Sequence, residues 1–256
     1  MEILHLREEC ESRLAGGFAV SENVRPKRFY KEVAVVEHEG RHGVALDGRK
    51  TKTRGRNVLA APTPALAEAV AAEWDLQGEH IDRTTMPLTA MLSAAIDGGE
   101  EDLQAWREEI VKYLGSDLVC YRADAPAVLA ERQAAIWDPY IEFMRREFGA
   151  ILVTTAGIVA VPQADASFSA VRGALAKETP ETLFGLQIAA AIAGSAVLAL
   201  ALWKGEETAE SVFEASRVDE RFQEEKWGVD EEAKARENRL RADFLKAAEF
   251  LALLDS

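Results

Sequence analysis

The sequence predicts an α+β fold in which a small N-terminal antiparallel β-region is followed by a larger, mainly helical region with a second β-hairpin. Two observations predict this class. Runs of β-branched residues separated by turn residues occur between positions 28 and 61, whereas apolar residues recur at helical spacing through most of the remaining chain. The chain is therefore divided into an N-terminal arm at 1–27, the β-region at 28–61 and a helical region at 62–256, with the hairpin near 151–161.

The β-region is predicted from two strand-like runs and a tight turn. Val33 to Val36 is rich in β-branched residues, and Gly43 to Leu46 leads directly into the pair Asp47-Gly48. An Asp-Gly pair is a strong hairpin signal, because both residues tolerate positive φ. Lys50 to Thr53 is then the returning strand, and Val58 to Ala60 is a further short strand.

Helices are predicted from start signals, apolar stripes and stop signals. Thr63-Pro64, for example, combines a capping residue with a proline at the first helical position. Asp138-Pro139 predicts a kink or a restart inside one helix. The predicted helices cover about 64–78, 89–96, 100–114, 126–149, 167–178, 180–204, 208–227 and 230–254.

The stretch from Leu183 to Trp203 contains no charged residue, so it is either a membrane span or a buried central helix. Many of its residues are Ala, Gly or Ser, and Gln187 lies inside it. Its flanks are not strongly basic, since Lys204 is followed closely by two glutamates. These features favour the buried helix.

The composition excludes several kinds of partner. The chain of 256 residues has 30 Lys and Arg against 44 Asp and Glu, a net charge of −14. Nucleic acids and anionic membranes select basic patches, so neither is an expected partner. Cys10 and Cys120 are too few for a disulfide framework, and both thiols are expected to be free in a reducing compartment.

The sequence carries no recognisable motif for catalysis, a cofactor or a metal. Phosphate-binding glycine loops, HExxH, CxxC and GxSxG are all absent. His38 and His42 form the nearest histidine pair, but Gly40 and Gly43 place them in a strand or turn without a third ligand nearby. No reaction, cofactor or metal is therefore expected.

The acidity is concentrated in residues 206–232. This segment contains eleven acidic and three basic residues, which gives it a net charge of −8. This segment is either a solvated acidic face or a recognition surface in which Trp227 anchors a protein partner beside charged groups. Composition alone does not separate the two.

Several strings in the sequence occur in a familiar order. They are RFYKEVAV, VALDGRKTKT, MPLTAMLSAAID, SDLVCYRA, WDP, TAGIVAVPQ and EASRVDERFQEEKWG. In this order they resemble the Atp-twelve (Atp12) chaperone family, the assembly factor that binds the α subunit of the ATP synthase catalytic head. The likeness runs from about Arg28 to Trp227, with mild departures at Arg54 and Ser116.

The resemblance implies a protein without a reaction of its own. It would hold the unassembled α subunit until the β subunit takes its place, without consuming ATP. The client-binding residues implied by the matching string are Glu220, Gln223, Glu224 and Trp227, flanked by Arg217 and Asp219. Glu220 is the expected polar contact, and Trp227 either anchors the client or packs on the last helix.

A monomer is the simplest state for a protein that occupies another protein's interface. The N-terminus has no presequence pattern, which predicts a bacterial, cytoplasmic member or a processed chain, whereas eukaryotic relatives would lie in the mitochondrial matrix. Two other classes stay open: a soluble enzyme of unrecognised chemistry, and an interaction module with another protein client.

Overall fold

The computed structural model describes residues 25–157 and 159–255, so most of the predicted arm at 1–27, including Cys10, lies outside the described residues. The fold is α+β, as predicted, with a small antiparallel sheet near its N-terminal end and helices through most of the rest. The strands are β1 (Val33–His38), β2 (Arg41–Leu46), β3 (Arg49–Lys50), β4 (Ala60–Ala61), β5 (Tyr121–Arg122) and β6 (Thr155–Ala156).

The helices in the first half are α1 (Pro64–Asp75), α2 (Pro87–Asp97), α3 (Glu100–Tyr113) and α4 (Ala127–Phe148). Those in the second half are α5 (Asp165–Leu175), α6 (Pro180–Ala193), α7 (Ala196–Trp203), α8 (Ala209–Ala215), α9 (Val218–Trp227) and α10 (Glu231–Leu254).

The N-terminal sheet is built from hairpins closed by residues with positive φ. Strands β1 and β2 pair from Val33 opposite Leu46 to His38 opposite Arg41. The predicted turn between β2 and β3 is confirmed, with φ of 47° at Asp47 and 73° at Gly48. These are the dihedral signs of a two-residue turn whose twist matches that of the strands. β4 pairs with the other end of β2 and completes the sheet.

Helix α1 begins as the sequence predicts and packs on this sheet. The Thr63 hydroxyl accepts the Leu66 N–H, and Pro64 occupies the first turn. Leu66 and Val70 are buried in the same core cluster as Val44 of β2. The local capping chemistry thus sets the start of the helix, and the apolar stripe sets the face that meets the sheet.

The predicted single helix at 180–204 is wrong, because two helices occupy this range. Gly194 adopts φ of 68° and ends α6, and the Ser195 hydroxyl then accepts the Leu198 N–H to cap α7. The prediction that this stretch is buried is confirmed, because nearly every residue of α6 and α7 is buried among α2, α3, α4 and α10. No helix among the described residues is long and apolar enough to cross a membrane.

The break between α6 and α7 is fixed by a buried carboxylate from a distant part of the chain. Asp117 accepts hydrogen bonds from the Ser195 hydroxyl and from the Val197 N–H, the latter at 3.0 Å. Its side chain thereby satisfies N–H groups at the start of α7 that have no partner within the helix.

The predicted second hairpin at 151–161 is also wrong. Thr155 and Ala156 pair in parallel with Tyr121 and Arg122 instead of with the residues that follow them. The Gln163 side chain takes the place of a partner strand, since its amide binds both the N–H and the C=O of Val153 at 2.8 Å.

Two further helix predictions change in detail. Helix α4 runs from Ala127 to Phe148 without restarting at Pro139. The predicted helix at 208–227 is divided into α8 and α9 at Ser216-Arg217. The Ser216 hydroxyl donates to the Phe213 carbonyl at 2.7 Å, which satisfies an acceptor at the end of α8.

Candidate functional site

Helix α9 carries most of the sequence-predicted site, and the structure separates its residues into an inner and an outer set. Val218 and Phe222 are buried and fix the inner face. Trp227, at the C-terminal end of the same helix, does not belong to this inner face, because it is 79% exposed. Trp227 therefore does not pack on the last helix α10, which leaves the anchoring interpretation as the prediction.

Arg217 belongs to the inner set, with only 3% of the residue exposed. Its guanidinium donates to the Ser216 hydroxyl at 3.0 Å, to the Ile192 carbonyl at 2.8 Å and to the Glu220 carboxylate at 3.1 Å. It also lies over the Phe213 ring. Arg217 thus joins the end of α6 to the start of α9 and orients Glu220.

Asp219 also faces inward, where it holds α9 against α4. Its carboxylate accepts a 2.6 Å hydrogen bond from the Gln133 amide. The oxygen of the same Gln133 side chain accepts the Ala123 N–H at 2.7 Å. Burial raises the pKa of Asp219, and the nearby Glu220 charge adds to the rise.

Glu224 is engaged within the fold by a network centred on Arg221. The Arg221 guanidinium binds Glu214 and Glu237 through two hydrogen bonds each, at 2.8–3.0 Å, and Glu224 at 3.1 Å. Lys234 pairs with Glu237 at 3.0 Å. The hydrogen bonds to Glu214 and Glu237 raise the pKa of Arg221, and the Arg221 hydrogen bond lowers the pKa of Glu237. One side chain therefore links α8, α9 and α10.

The outer set consists of Glu220, Gln223 and Trp227. The Glu220 side chain is 40% exposed, and Gln223 is on the surface. Val229, just beyond the end of α9, is 54% exposed and extends the apolar part of this surface. We call Glu220, Gln223, Trp227 and Val229 the α9 surface. It presents a large aromatic side chain beside polar groups, a combination typical of protein-recognition sites.

Other exposed apolar residues lie in a loop that the sequence interpretation assigned to a hairpin. Ile151, Val153 and Val159 are 67%, 46% and 71% exposed. The signal for this surface is present in the sequence, because residues 149–163 carry no charge although the protein has a net charge of −14. Phe29 and Leu76 are exposed near the sheet, and Tyr30 is buried.

The described residues contain no cluster of histidine, cysteine, aspartate or glutamate side chains arranged to hold a metal ion. The His38 ring lies 3.2 Å from the Lys50 ammonium, which is an unsuitable neighbour for a metal. Cys120 is a free, buried thiol, and burial raises its pKa to about 12. Such a thiol stays protonated and is a poor nucleophile.

The fold matches solved structures of Atp12 and of a protein described as a putative chaperone. The crystal structure of Atp12 from Paracoccus denitrificans is 37% identical, with a TM-score of 0.86 over 90% of this chain and 98% of that one. The structure of a mutant form of the same Paracoccus protein matches equally well. A putative chaperone from Agrobacterium tumefaciens is 34% identical, with a TM-score of 0.84 over 100% of this chain and 99% of that one.

The family assignment follows from these matches together with two sequence comparisons. The family model described as ATP12 chaperone protein matches residues 27–145. The mitochondrial protein atp12 of Schizosaccharomyces pombe is 24% identical over 219 residues, 81% of this chain and 75% of that protein. The chain belongs to the ATP12 chaperone family, whose role is in ATP synthase assembly.

Proposed function

We propose that this protein binds the unassembled α subunit of the F-type ATP synthase catalytic head and prevents its aggregation until the β subunit replaces it. A ring subunit on its own exposes the apolar interface that its neighbour will cover, and such surfaces aggregate. A protein that covers this interface needs exposed apolar side chains on a framework that itself stays in solution. The net charge of −14 favours that solubility.

The observation that carries this proposal is the exposure of Trp227 on a helix that is otherwise fixed to the fold. The indole is 79% exposed, whereas Val218 and Phe222 on the same helix are buried. Exposed tryptophans next to charged and polar groups are common anchors in protein interfaces. Glu220 and Gln223 supply the polar groups here, while Arg217, Asp219 and Glu224 support them from within the fold.

In this role the protein acts as a monomer in the bacterial cytoplasm, and it does so without ATP hydrolysis. A monomer has one α9 surface, so a one-to-one complex with the α subunit is expected. Size-exclusion chromatography with light scattering measures both the free state and the complex.

The direct test is suppression of α-subunit aggregation. Purified α subunit is diluted from denaturant with and without an equimolar amount of the protein, and turbidity is recorded. We expect the protein to keep most of the α subunit in solution and to release it when β subunit is added. An acidic protein of similar size serves as the control. Equal turbidity with the protein and with that control would refute the proposal.

The assignment of Glu220 is tested by two substitutions that differ in charge. Glu220→Gln retains an acceptor for the Arg217 guanidinium, whereas Glu220→Lys places a cation beside it. We expect the lysine variant to lose much of the aggregation suppression and the glutamine variant to retain most of it. Equal suppression by both variants and the wild type would remove Glu220 from the client-binding residues.

A further inference from the structure

A cavity of about 290 Å³ lies between α4, α8 and the turn that precedes α8. It is at the small end of ligand pockets, which span about 300–1,000 Å³, so its size suits one side chain better than a large ligand. Its lining comprises Ala135, Ile136, Pro139, Tyr140, Glu206, Glu207, Ser211 and Ala215. The apolar residues come mainly from α4, and the two carboxylates come from the turn.

Tyr140 is the buried polar group that faces this cavity. The residue is only 6% exposed, and its hydroxyl makes no hydrogen bond to any of the described residues. Burial, followed by the charges of Glu207 and Glu206, raises the pKa of Tyr140 to about 12. The phenol therefore stays protonated, and its oxygen offers lone pairs to a donor inside the cavity.

The other polar groups of the cavity are mostly acceptors. Glu206 already pairs with Arg146 at 2.6 Å, whereas Glu207 forms no ion pair within the part of the chain that the structure describes. An incoming group with several donors and a positive charge would satisfy these acceptors together.

We propose that this cavity binds an arginine side chain of the partner protein. A guanidinium carries five N–H donors and a permanent charge, which match the dispersed acceptors and the Glu207 carboxylate better than a single ammonium does. The aliphatic stem of the arginine would lie against Ile136, Pro139 and Ala215.

A protein partner is the favoured source because α4, which lines the cavity, also holds α9, the helix that carries the candidate site. Gln133 holds Asp219 of α9, and Ile136 lies three residues further along the same helix, about 5 Å at 1.5 Å per residue. Trp137 on that stretch donates a 2.7 Å hydrogen bond to the Ala215 carbonyl, which fixes α8 beside α4. The identity of the partner as the α subunit rests on the proposed function.

The binding test uses Nα-acetylarginine amide as the probe and the neutral isostere Nα-acetylcitrulline amide as its control. In an NMR titration of the ¹⁵N-labelled full chain, we expect saturable shifts of the Ile136, Tyr140 and Ser211 amide signals, with a Kd on the order of 1 mM. The citrulline amide should produce none. Absence of saturable shifts with arginine amide, or equal shifts with both probes, would overturn the proposal.

Two substitutions and a matched control locate the site. Glu207→Gln removes the carboxylate charge and Tyr140→Phe removes only the hydroxyl, and each should weaken probe binding several-fold. Glu232→Gln changes the net charge equally at an exposed position outside the cavity and should leave binding unchanged. Equal weakening by Glu207→Gln and Glu232→Gln would indicate attraction to the overall charge and would refute a specific site.

The aggregation assay and the arginine titration together distinguish a failure of the cavity proposal from a failure of the proposed function. If the wild type suppresses α-subunit aggregation but does not bind the arginine probe, the cavity proposal fails alone. If the probe binds and α-subunit aggregation is not suppressed, the α subunit is not the partner and the arginine site still stands. If both hold, Glu207→Gln should also raise the Kd of the α-subunit complex several-fold, and an unchanged Kd would refute use of the cavity by that client.

Discussion

The Arg41 guanidinium on strand β2 donates a hydrogen bond to the Glu181 carboxylate in the first turn of the central helix α6. Glu181 is 2% exposed, and the second contact of Arg41 is a 3.0 Å hydrogen bond from Nε to the Ala60 carbonyl on β4. One side chain therefore joins two strands of the N-terminal sheet to the buried helix of the other region.

We expect Arg41→Ala to lower the free energy of unfolding by about 2 kcal/mol, because it leaves the buried Glu181 carboxylate without its cation. The N-terminal dipole of α6 still stabilises that carboxylate, which limits the loss. Urea unfolding measures the change. Arg49→Ala, at an exposed position on β3, is the matched control and should change stability by less than about 0.5 kcal/mol. Equal stability of the two variants would contradict the importance of this ion pair.

The stability of the protein should include a pH-dependent contribution from Asp117. Burial raises the pKa of Asp117 from 3.8 to about 6, although its hydrogen bonds to Ser195 and Val197 oppose the rise. Because the folded-state pKa is the higher one, the folded protein binds the proton more tightly, and this contribution increases as the pH falls through 6. The neighbouring Cys120 stays neutral throughout this range.

The comparison that isolates Asp117 is the difference in unfolding free energy between the wild type and Asp117→Asn. Between pH 7 and pH 5 we expect this difference to move in favour of the wild type by about 1 kcal/mol. Other carboxyl groups titrate in both proteins and cancel in the difference. A difference that stays constant between pH 7 and pH 5 would show that burial does not raise the pKa of Asp117 to about 6.

Gly185 should be required where the C-terminal helix crosses α6. A Cβ at this position would lie 2.8 Å from Cδ2 of Leu251 and 3.2 Å from Cδ1 of Phe250, both of which are buried. We expect Gly185→Ala to destabilise the protein by about 1–2 kcal/mol, since overpacking outweighs the gain in helix propensity.

Gly173 on α5 is the matched control, because a Cβ there would meet nothing within 4 Å. Gly173→Ala should stabilise the protein by about 0.5–1 kcal/mol through helix propensity and the reduced entropy of the unfolded chain. Thermal unfolding of the two variants should therefore shift in opposite directions. Shifts in the same direction would contradict the close packing of α6 on α10.

Trp227→Ala should separate client binding from folding. The side chain is 79% exposed, so its removal should change stability by less than about 0.5 kcal/mol. If the indole anchors the α subunit, the Kd of the complex should rise about tenfold or more. Leu76→Ala removes a similarly exposed apolar side chain next to α1 and should leave the Kd unchanged. Equal effects of both substitutions would argue against a specific role for the α9 surface.

The elements that the sequence predicts correctly are those set by neighbouring residues. Thr63-Pro64 fixes the start of α1, and Asp47-Gly48 fixes the hairpin turn, because both signals act through local backbone geometry. The break at Gly194-Ser195 is different, since the carboxylate that fixes it comes from Asp117, 78 residues before Ser195. Gly194 and Ser195 carry local stop and start signals, but local propensity in an Ala-rich stretch favours an unbroken helix, and the distant carboxylate decides between the two.

The same limit applies to the candidate site. The sequence points to residues 217–227 through the matching family string, but helical spacing does not reveal which residues face inward. Arg217 lies inside because the Ile192 carbonyl and the Ser216 hydroxyl are available to it there. The parallel pairing of β5 with β6 likewise depends on a partner more than 30 residues away in the chain.

The Arg221 network has a consequence for the thermodynamics of binding. Since Glu214, Glu224 and Glu237 hold α9 in place in the free protein, a client meets a surface that is already ordered. Little conformational entropy is then lost on the chaperone side, and the heat-capacity change of association should reflect the apolar area buried between the two proteins. Loosening this network would reduce the affinity for the client through the loss of preorganisation alone, because every side chain that contacts the client would still be present.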